Sequence, residues 1–119
     1  METILVVDDD PTTNRTVEHL LRSKGYNVIF AEDGIEGLQK EMNEEPDLII
    51  LDVVMPNVDG FTFLRELKAR KGMQMPKVII LTVKAEMEEI FRMEGVEDFF
   101  TKPLDSAKFL TRVEGCLAQ

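Results

Sequence analysis

Only one cysteine, Cys116, occurs among the 119 residues. An internal disulfide is therefore excluded, which fits a reducing cytoplasm. Positive charge is also scarce: 14 Lys and Arg stand against 23 Asp and Glu, a formal net charge of -9. No direct nucleic-acid ligand is expected, because phosphate backbones are bound by concentrated Lys and Arg. Long apolar runs are missing too. The longest, Leu48 to Leu51 and Val78 to Leu81, fall far below the roughly 18 residues of a membrane span. Met1-Glu2-Thr3 is not basic and no cleavage-like site follows, so no signal peptide and a cytoplasmic location are expected. What is present is an ordinary globular balance, 44% hydrophobic against 31% charged, in a length that suits one packed domain.

Along the chain, Ile4-Leu5-Val6-Val7 is a continuous apolar run ending in Asp8-Asp9-Asp10, the pattern of a strand buried on both faces. Asp10 predicts an N-cap, with Pro11 at the first helical position and Val17, Leu20 and Leu21 at helical spacing up to Gly25. The alternation repeats. Val28-Ile29-Phe30 predicts a second strand, Ile35, Leu38 and Met42 the apolar stripe of a second helix, and Leu48 to Leu51 a third strand running into Asp52. After a loop with Pro56, Asn57, Asp59 and Gly60, a helix from about Phe61 carries Phe63, Leu64 and Leu67. Val78 to Leu81 forms a fourth strand ending at Thr82, and a helix follows near Glu86 to Glu94. Phe99-Phe100 forms a short fifth strand before Thr101-Lys102-Pro103, and Leu110, Val113 and Leu117 mark a last amphipathic helix. Strand-helix alternation with short connections implies right-handed crossovers and a parallel α/β sheet with helices on both faces.

In such sheets a ligand lies outside the carboxyl ends of the strands. The residues there are Asp8 and Asp9, Asp52, Thr82 and Lys102, all of them polar. Three carboxylates brought close together repel one another, and a hard divalent cation offsets that repulsion. Carboxylates beside Mg²⁺, an ammonium and a hydroxyl are arranged as in a phosphoryl-transfer site, with Asp able to act as nucleophile.

These residues resemble a known family, the receiver domain of two-component response regulators, especially its single-domain chemotaxis type. The matching pieces are Ile4 to Pro11, Asp52-Val53-Val54-Met55-Pro56-Asn57-Val58-Asp59-Gly60, Leu81-Thr82 and Lys102-Pro103. The resemblance implies one receiver domain over residues 1–119, folded as a flavodoxin-like, doubly wound, five-stranded parallel sheet of order 2-1-3-4-5 with five helices on its two faces. It implies that Asp52 accepts phosphate from the phosphohistidine of a histidine kinase or histidine phosphotransfer protein. Mg²⁺, or Mn²⁺ in its place, would be surrounded by Asp8, Asp9, Asp52 and the Val54 carbonyl. Thr82 and Lys102 would bind the phosphoryl oxygens, helped by the N–H groups of Val54 and Val83. Phe99 would turn inward with Thr82, and the face of helix four, strand five and helix five would control a downstream protein or a phosphorylation-dependent dimer. Such a chain is a switch that catalyses only its own phosphorylation and slow dephosphorylation. The interval from Thr82 to Lys102 is shorter than the family pattern, so a shortened fourth helix or preceding loop is expected. Val83 stands where the family has Ala or Gly, and its bulk is expected to narrow the phosphate entrance.

Two other functions fit parts of the sequence. One is a phosphatase with an aspartyl-phosphate intermediate at Asp8; the other is a receiver-like module that binds protein without accepting phosphate. Several residues read as purely structural. His19 is a helix residue without chemistry, Cys116 a small apolar filler, and Gly60 the maker of a tight turn. Met87, Ile90, Phe91 and Met93 read as core packing, and Glu41, Glu44 and Glu45 as a solvated acidic end.

Overall fold

A computed structural model describes residues 1–118. The strands are β1 (Thr3–Val7), β2 (Asn27–Ala31), β3 (Leu48–Leu51), β4 (Lys77–Thr82) and β5 (Asp98–Thr101). The α-helices are α1 (Pro11–Ser23), α2 (Gly34–Glu44), α3 (Gly60–Lys71), α4 (Glu88–Met93) and α5 (Ser106–Leu117). All strand pairs are parallel and the order is β2-β1-β3-β4-β5, as expected for the flavodoxin-like arrangement.

The continuous apolar runs form central strands because alternate residues enter different cores. On one face Leu5, Val7, Ile49, Leu51, Val78 and Ile80 pack with Phe63, Leu64 and Leu67 of α3 and Phe91 of α4. On the other, Ile4, Val6, Leu48, Ile50, Ile79 and Leu81 pack with Val17 and Leu21 of α1 and Phe109, Val113 and Cys116 of α5. Four helices start on an aspartate whose side chain accepts a first-turn N–H: Asp10, Asp33, Asp59 and Asp105. The six-residue α4 has no such cap and is entered through a 3₁₀ turn over Ala85–Met87. The short fourth helix expected from the Thr82 to Lys102 interval is thus present, and it is anchored by Phe91 alone among its fully buried side chains.

Several expectations about side-chain direction are corrected. Ile35 and Met42 do not line the core but are 49% and 58% exposed. The face of α2 turned inward carries Gly37, where a Cβ would lie 2.9 Å from the Phe63 ring and 3.0 Å from Val7, so α2 approaches the sheet through a missing side chain. Ile90 and Met93 are largely exposed while Phe91 is buried, so only part of that cluster is core. Gly60 has no positive φ. It is required because a Cβ there would stand 2.7 Å from both the Asp52 carbonyl oxygen and Val53 Cα.

Glu41 is not solvated. Its side chain is 2% exposed, with Oε2 3.2 Å from Lys71 Nζ and Oε1 buried without a hydrogen bond. The inward stripe of α2 carries this carboxylate to α3, where an ammonium meets it. Replacing Lys71 by Met would strand the charge. The expected loss is about 2 kcal/mol of stability, discounted from a fully buried pair because Lys71 is partly exposed, and Glu41→Leu in the same chain should recover most of it. Urea unfolding of the two variants measures both terms.

Candidate functional site

The carboxyl ends of β1, β3, β4 and β5 converge through main-chain hydrogen bonds that extend the parallel ladders. Asp8 N–H donates to Ala31 O and Asp52 N–H to Val7 O, each at 3.0 Å, which sets the two aspartates side by side just beyond the sheet. Lys102 N–H donates to Thr82 O at 2.9 Å and ties the end of β5 to that of β4. The Lys102–Pro103 peptide is cis. From there Lys102 Nζ reaches Asp8 Oδ2 at 2.9 Å, Asp52 Oδ2 at 3.1 Å and Asp10 Oδ2 at 3.8 Å.

Asp8, Asp52 and Thr82 are buried, whereas Asp9 is exposed. Burial pushes the Asp8 carboxyl up to about 6, against the Asp10 amide and Lys102, which both pull it down; the nearby charge of Asp52 pushes it further up. Burial also works against the Lys102 ammonium, yet its hydrogen bond to Asp8 and the charges of Asp8 and Asp52 hold it above the ordinary lysine value. The Thr13 hydroxyl, donating to Asp10 Oδ2 at 2.7 Å, holds the Asp10 carboxyl below the usual range.

Asp8, Asp9 and Asp52 each offer a carboxylate oxygen, and these three oxygens lie within 4.8 Å of one another. Such a donor set fits a hard divalent cation of the Mg²⁺ type, which takes oxygen ligands and is commonly held by carboxylates. Val54 N–H donates to Asp52 Oδ1 at 3.2 Å, and the Thr82 hydroxyl oxygen accepts from Lys84 N–H at 3.3 Å. Val54 thus meets the site through its main chain rather than its side chain. The Val54 and Val83 side chains are 49% and 63% exposed. Phe99 is buried, but in the core under α3 and α4 with Phe91 rather than among the carboxylates.

One residue at the site escaped sequence reading. Asn14, at the end of the first turn of α1, donates from Nδ2 to the Asp8 carbonyl at 2.9 Å, and its Oδ1 is buried without a partner. The available signal was a poor helix former close behind three aspartates in a helix otherwise rich in solvent-facing polar residues.

Comparison with known proteins agrees with this geometry. Residues 4–114 match the family model described as the response regulator receiver domain. The chain is 33% identical over 120 residues to protein PilH of Pseudomonas aeruginosa, covering 99% of each protein. Two curated transcriptional regulators, from Bacillus subtilis and Synechocystis, are 38% and 36% identical to it, and the chain spans about half of their length. Among solved structures, chemotaxis response regulator CheY4 of Vibrio cholerae superposes with a TM-score of 0.87 at 29% identity, covering 98% of each chain. The receiver domain of sensor histidine kinase PA1611 of P. aeruginosa, which has magnesium in its active-site cleft, gives 0.88 at 28% identity, covering 99% of this chain and 98% of that one. With the strand order, the cluster of aspartates at the strand ends and a family match over nearly all of its length, the chain belongs to the response-regulator receiver domains, the phosphoacceptor switches of two-component signalling.

Proposed function

We propose that residues 1–119 form one receiver domain in which Asp52 accepts a phosphoryl group from the phosphohistidine of a histidine kinase or histidine phosphotransfer protein. The observation that carries this reading is the position of Lys102 Nζ, within 3.1 Å of both Asp8 and Asp52 at the carboxyl edge of the sheet. In the transfer, an Asp52 oxygen bonds to phosphorus while the phosphorus–nitrogen bond breaks and its electron pair stays on the imidazole. No base is needed for this transfer, since a carboxylate acceptor has no proton to remove. Lys102 lies beside the nascent acyl phosphate and offsets the negative charge brought in, and Val54 N–H is directed at the same carboxylate. Asp8, Asp9 and Asp52, with the Val54 carbonyl, would hold Mg²⁺, or Mn²⁺ in its place. When bound, this cation offsets charge on the phosphoryl oxygens. Thr82, with Lys84 N–H on its hydroxyl, would be drawn toward those oxygens, helped by Val83 N–H. That shift is the local event that biases the face of α4, β5 and α5.

The protein is thus read as a switch rather than a turnover enzyme, with a downstream protein or a second phosphorylated copy as its output. The exposed Ile90 and Met93 of α4 belong to that face. Among the described residues no helix is long and apolar enough to cross a membrane. A cytoplasmic location suits the single free cysteine and a kinase partner.

Intact mass after incubation with acetyl phosphate tests the reading. One added phosphoryl group is expected with Mg²⁺, and none after chelation or in Asp52→Asn. Absence of the gain in every condition would favour a phosphate-independent binding module. A gain kept by Asp52→Asn and lost by Asp8→Asn would move the nucleophile and favour the phosphatase.

A further inference from the structure

Of the three clustered aspartates, two are held by side-chain contacts. Asp8 accepts from Asp10 N–H at 2.9 Å and from Lys102, and Asp52 accepts from Val54 N–H and Lys102. Asp9 is exposed, and its carboxylate has no hydrogen bond or ion pair among the described residues. Its place is set by its backbone alone. Repulsion from Asp8 and Asp52 acts to push that carboxylate outward, so whatever fixes the peptides on either side of it decides whether it contributes a ligand.

The peptide before Asp9 is fixed by Asn14, and the one after it by the bond from Asp10 N–H to Asp8 Oδ1. Asn14 Nδ2 donates to the carbonyl of Asp8 at 2.9 Å, and Asn14 N–H donates to the carbonyl of Asp10 at 3.0 Å. The second bond is ordinary helix geometry; the first is made by the side chain and belongs to this residue type. The amide's other atom, Oδ1, is buried without a hydrogen-bond partner. A buried amide oxygen left in this way is unfavourable, and an apolar side chain would avoid it, so the Nδ2 contact is the feature that explains an amide here.

We propose that Asn14 is a positioning residue of the cation site, gripping the carbonyl of the Asp8–Asp9 peptide so that the otherwise unheld Asp9 carboxylate stays with Asp8 and Asp52. The inference rests on the cation site proposed above and goes beyond it, since Asn14 itself contributes no ligand atom to the cluster. Loss of the side-chain bond frees the Asp8–Asp9 peptide to turn and lets Asp9 swing toward solvent. Groups that orient metal ligands in this manner typically contribute about 10- to 100-fold in affinity.

Calorimetric titration of Mg²⁺ into the whole chain tests this, using the unaltered protein, Asn14→Ala, Asn14→Leu and Asn14→Gln, with circular dichroism confirming that each is folded. Leu keeps the volume should Ala fail to fold. The expected result is a dissociation constant about tenfold weaker for Ala and Leu, with Gln, which retains an amide on a longer arm, between them and the unaltered chain. Dissociation constants for Ala and Leu matching the unaltered chain would overturn the inference alone, whether or not the urea midpoint of the metal-free protein falls. A lower midpoint with unchanged affinity is the mark of a merely structural asparagine. Absence of Mg²⁺ binding by the unaltered chain would instead overturn the cation site, and this inference with it.

Discussion

Gly60→Ala is expected to lower stability by about 3 kcal/mol and the unfolding midpoint by about 10 °C, and to slow phosphorylation of whatever remains folded. The added Cβ would meet the Asp52 carbonyl oxygen and Val53 Cα at 2.7 Å. Both are backbone atoms, so no side-chain rotation relieves the clash. Either α3 retreats, breaking the bond from Gly60 N–H to Val53 O, or the peptide after Asp52 moves. The second route displaces the proposed acceptor, where shifts of about 1 Å can reduce reactivity a hundredfold. Gly115→Ala is the matched control. Nothing lies within 4 Å of its Cβ position on α5, and the better helix propensity of Ala should raise stability by up to about 1 kcal/mol. Thermal unfolding and the rate of mass gain with acetyl phosphate measure both effects, and equal behaviour of the two variants would contradict the steric account.

The steric demand at Gly60 illustrates what the sequence conceals. A glycine after Asp59 reads naturally as a turn residue, because the pattern does not reveal that the loop folds back and brings the backbone of Asp52 and Val53 beneath it. Gly37 is the same case: its neighbours Phe63 and Val7 become visible only when α2 lies on the sheet. The strands were legible because being buried on both faces leaves no room for polar residues, so Ile4 to Val7, Leu48 to Leu51 and Val78 to Leu81 announce themselves. Each run ends where the sheet ends, and the polar residue that follows must sit at its carboxyl edge. For that reason Asp8, Asp52, Thr82 and Lys102 could be placed together before any coordinates.

Helix faces were less legible. Charge at Glu41, Glu44 and Glu45 suggested solvent, yet one of the three is among the most buried polar residues because α3 brings Lys71 to it. Asn14 was overlooked for a related reason. A polar helix residue reads as solvated unless a partner is known, and its partner is a main-chain carbonyl that sequence does not display.

The opposite outcome to Gly60→Ala is expected at Asp8. Asn in its place should stabilise the metal-free protein by about 2 kcal/mol at pH 7 while removing most of the stabilisation that Mg²⁺ confers. The carboxyl is 2% exposed and shares a single ammonium with Asp52, and burial raises it to about 6 from an ordinary 3.8. Above pH 6 the folded chain therefore carries a charge that it holds less comfortably than the unfolded chain does. As pH falls through about 6, the native state takes up a proton that the unfolded state still rejects, and stability rises. This contribution is complete below about 3.8, where both states are protonated, and is lost again as pH rises through about 6. The Asn variant has no such proton to bind, so its advantage should shrink steadily from pH 7 and be nearly gone at pH 4. Comparing the two proteins at each pH cancels the contributions of other groups, including Asp10, whose lowered carboxyl acts in the reverse sense. With Mg²⁺ at a hundredfold excess over its dissociation constant, the wild type should gain about 2.7 kcal/mol and the variant far less. Urea unfolding across pH, with and without Mg²⁺, measures all three terms. A variant that is less stable than the wild type at pH 7 without metal would mean that Lys102 more than compensates Asp8, and that the aspartates are not in a repulsive ground state waiting for a cation.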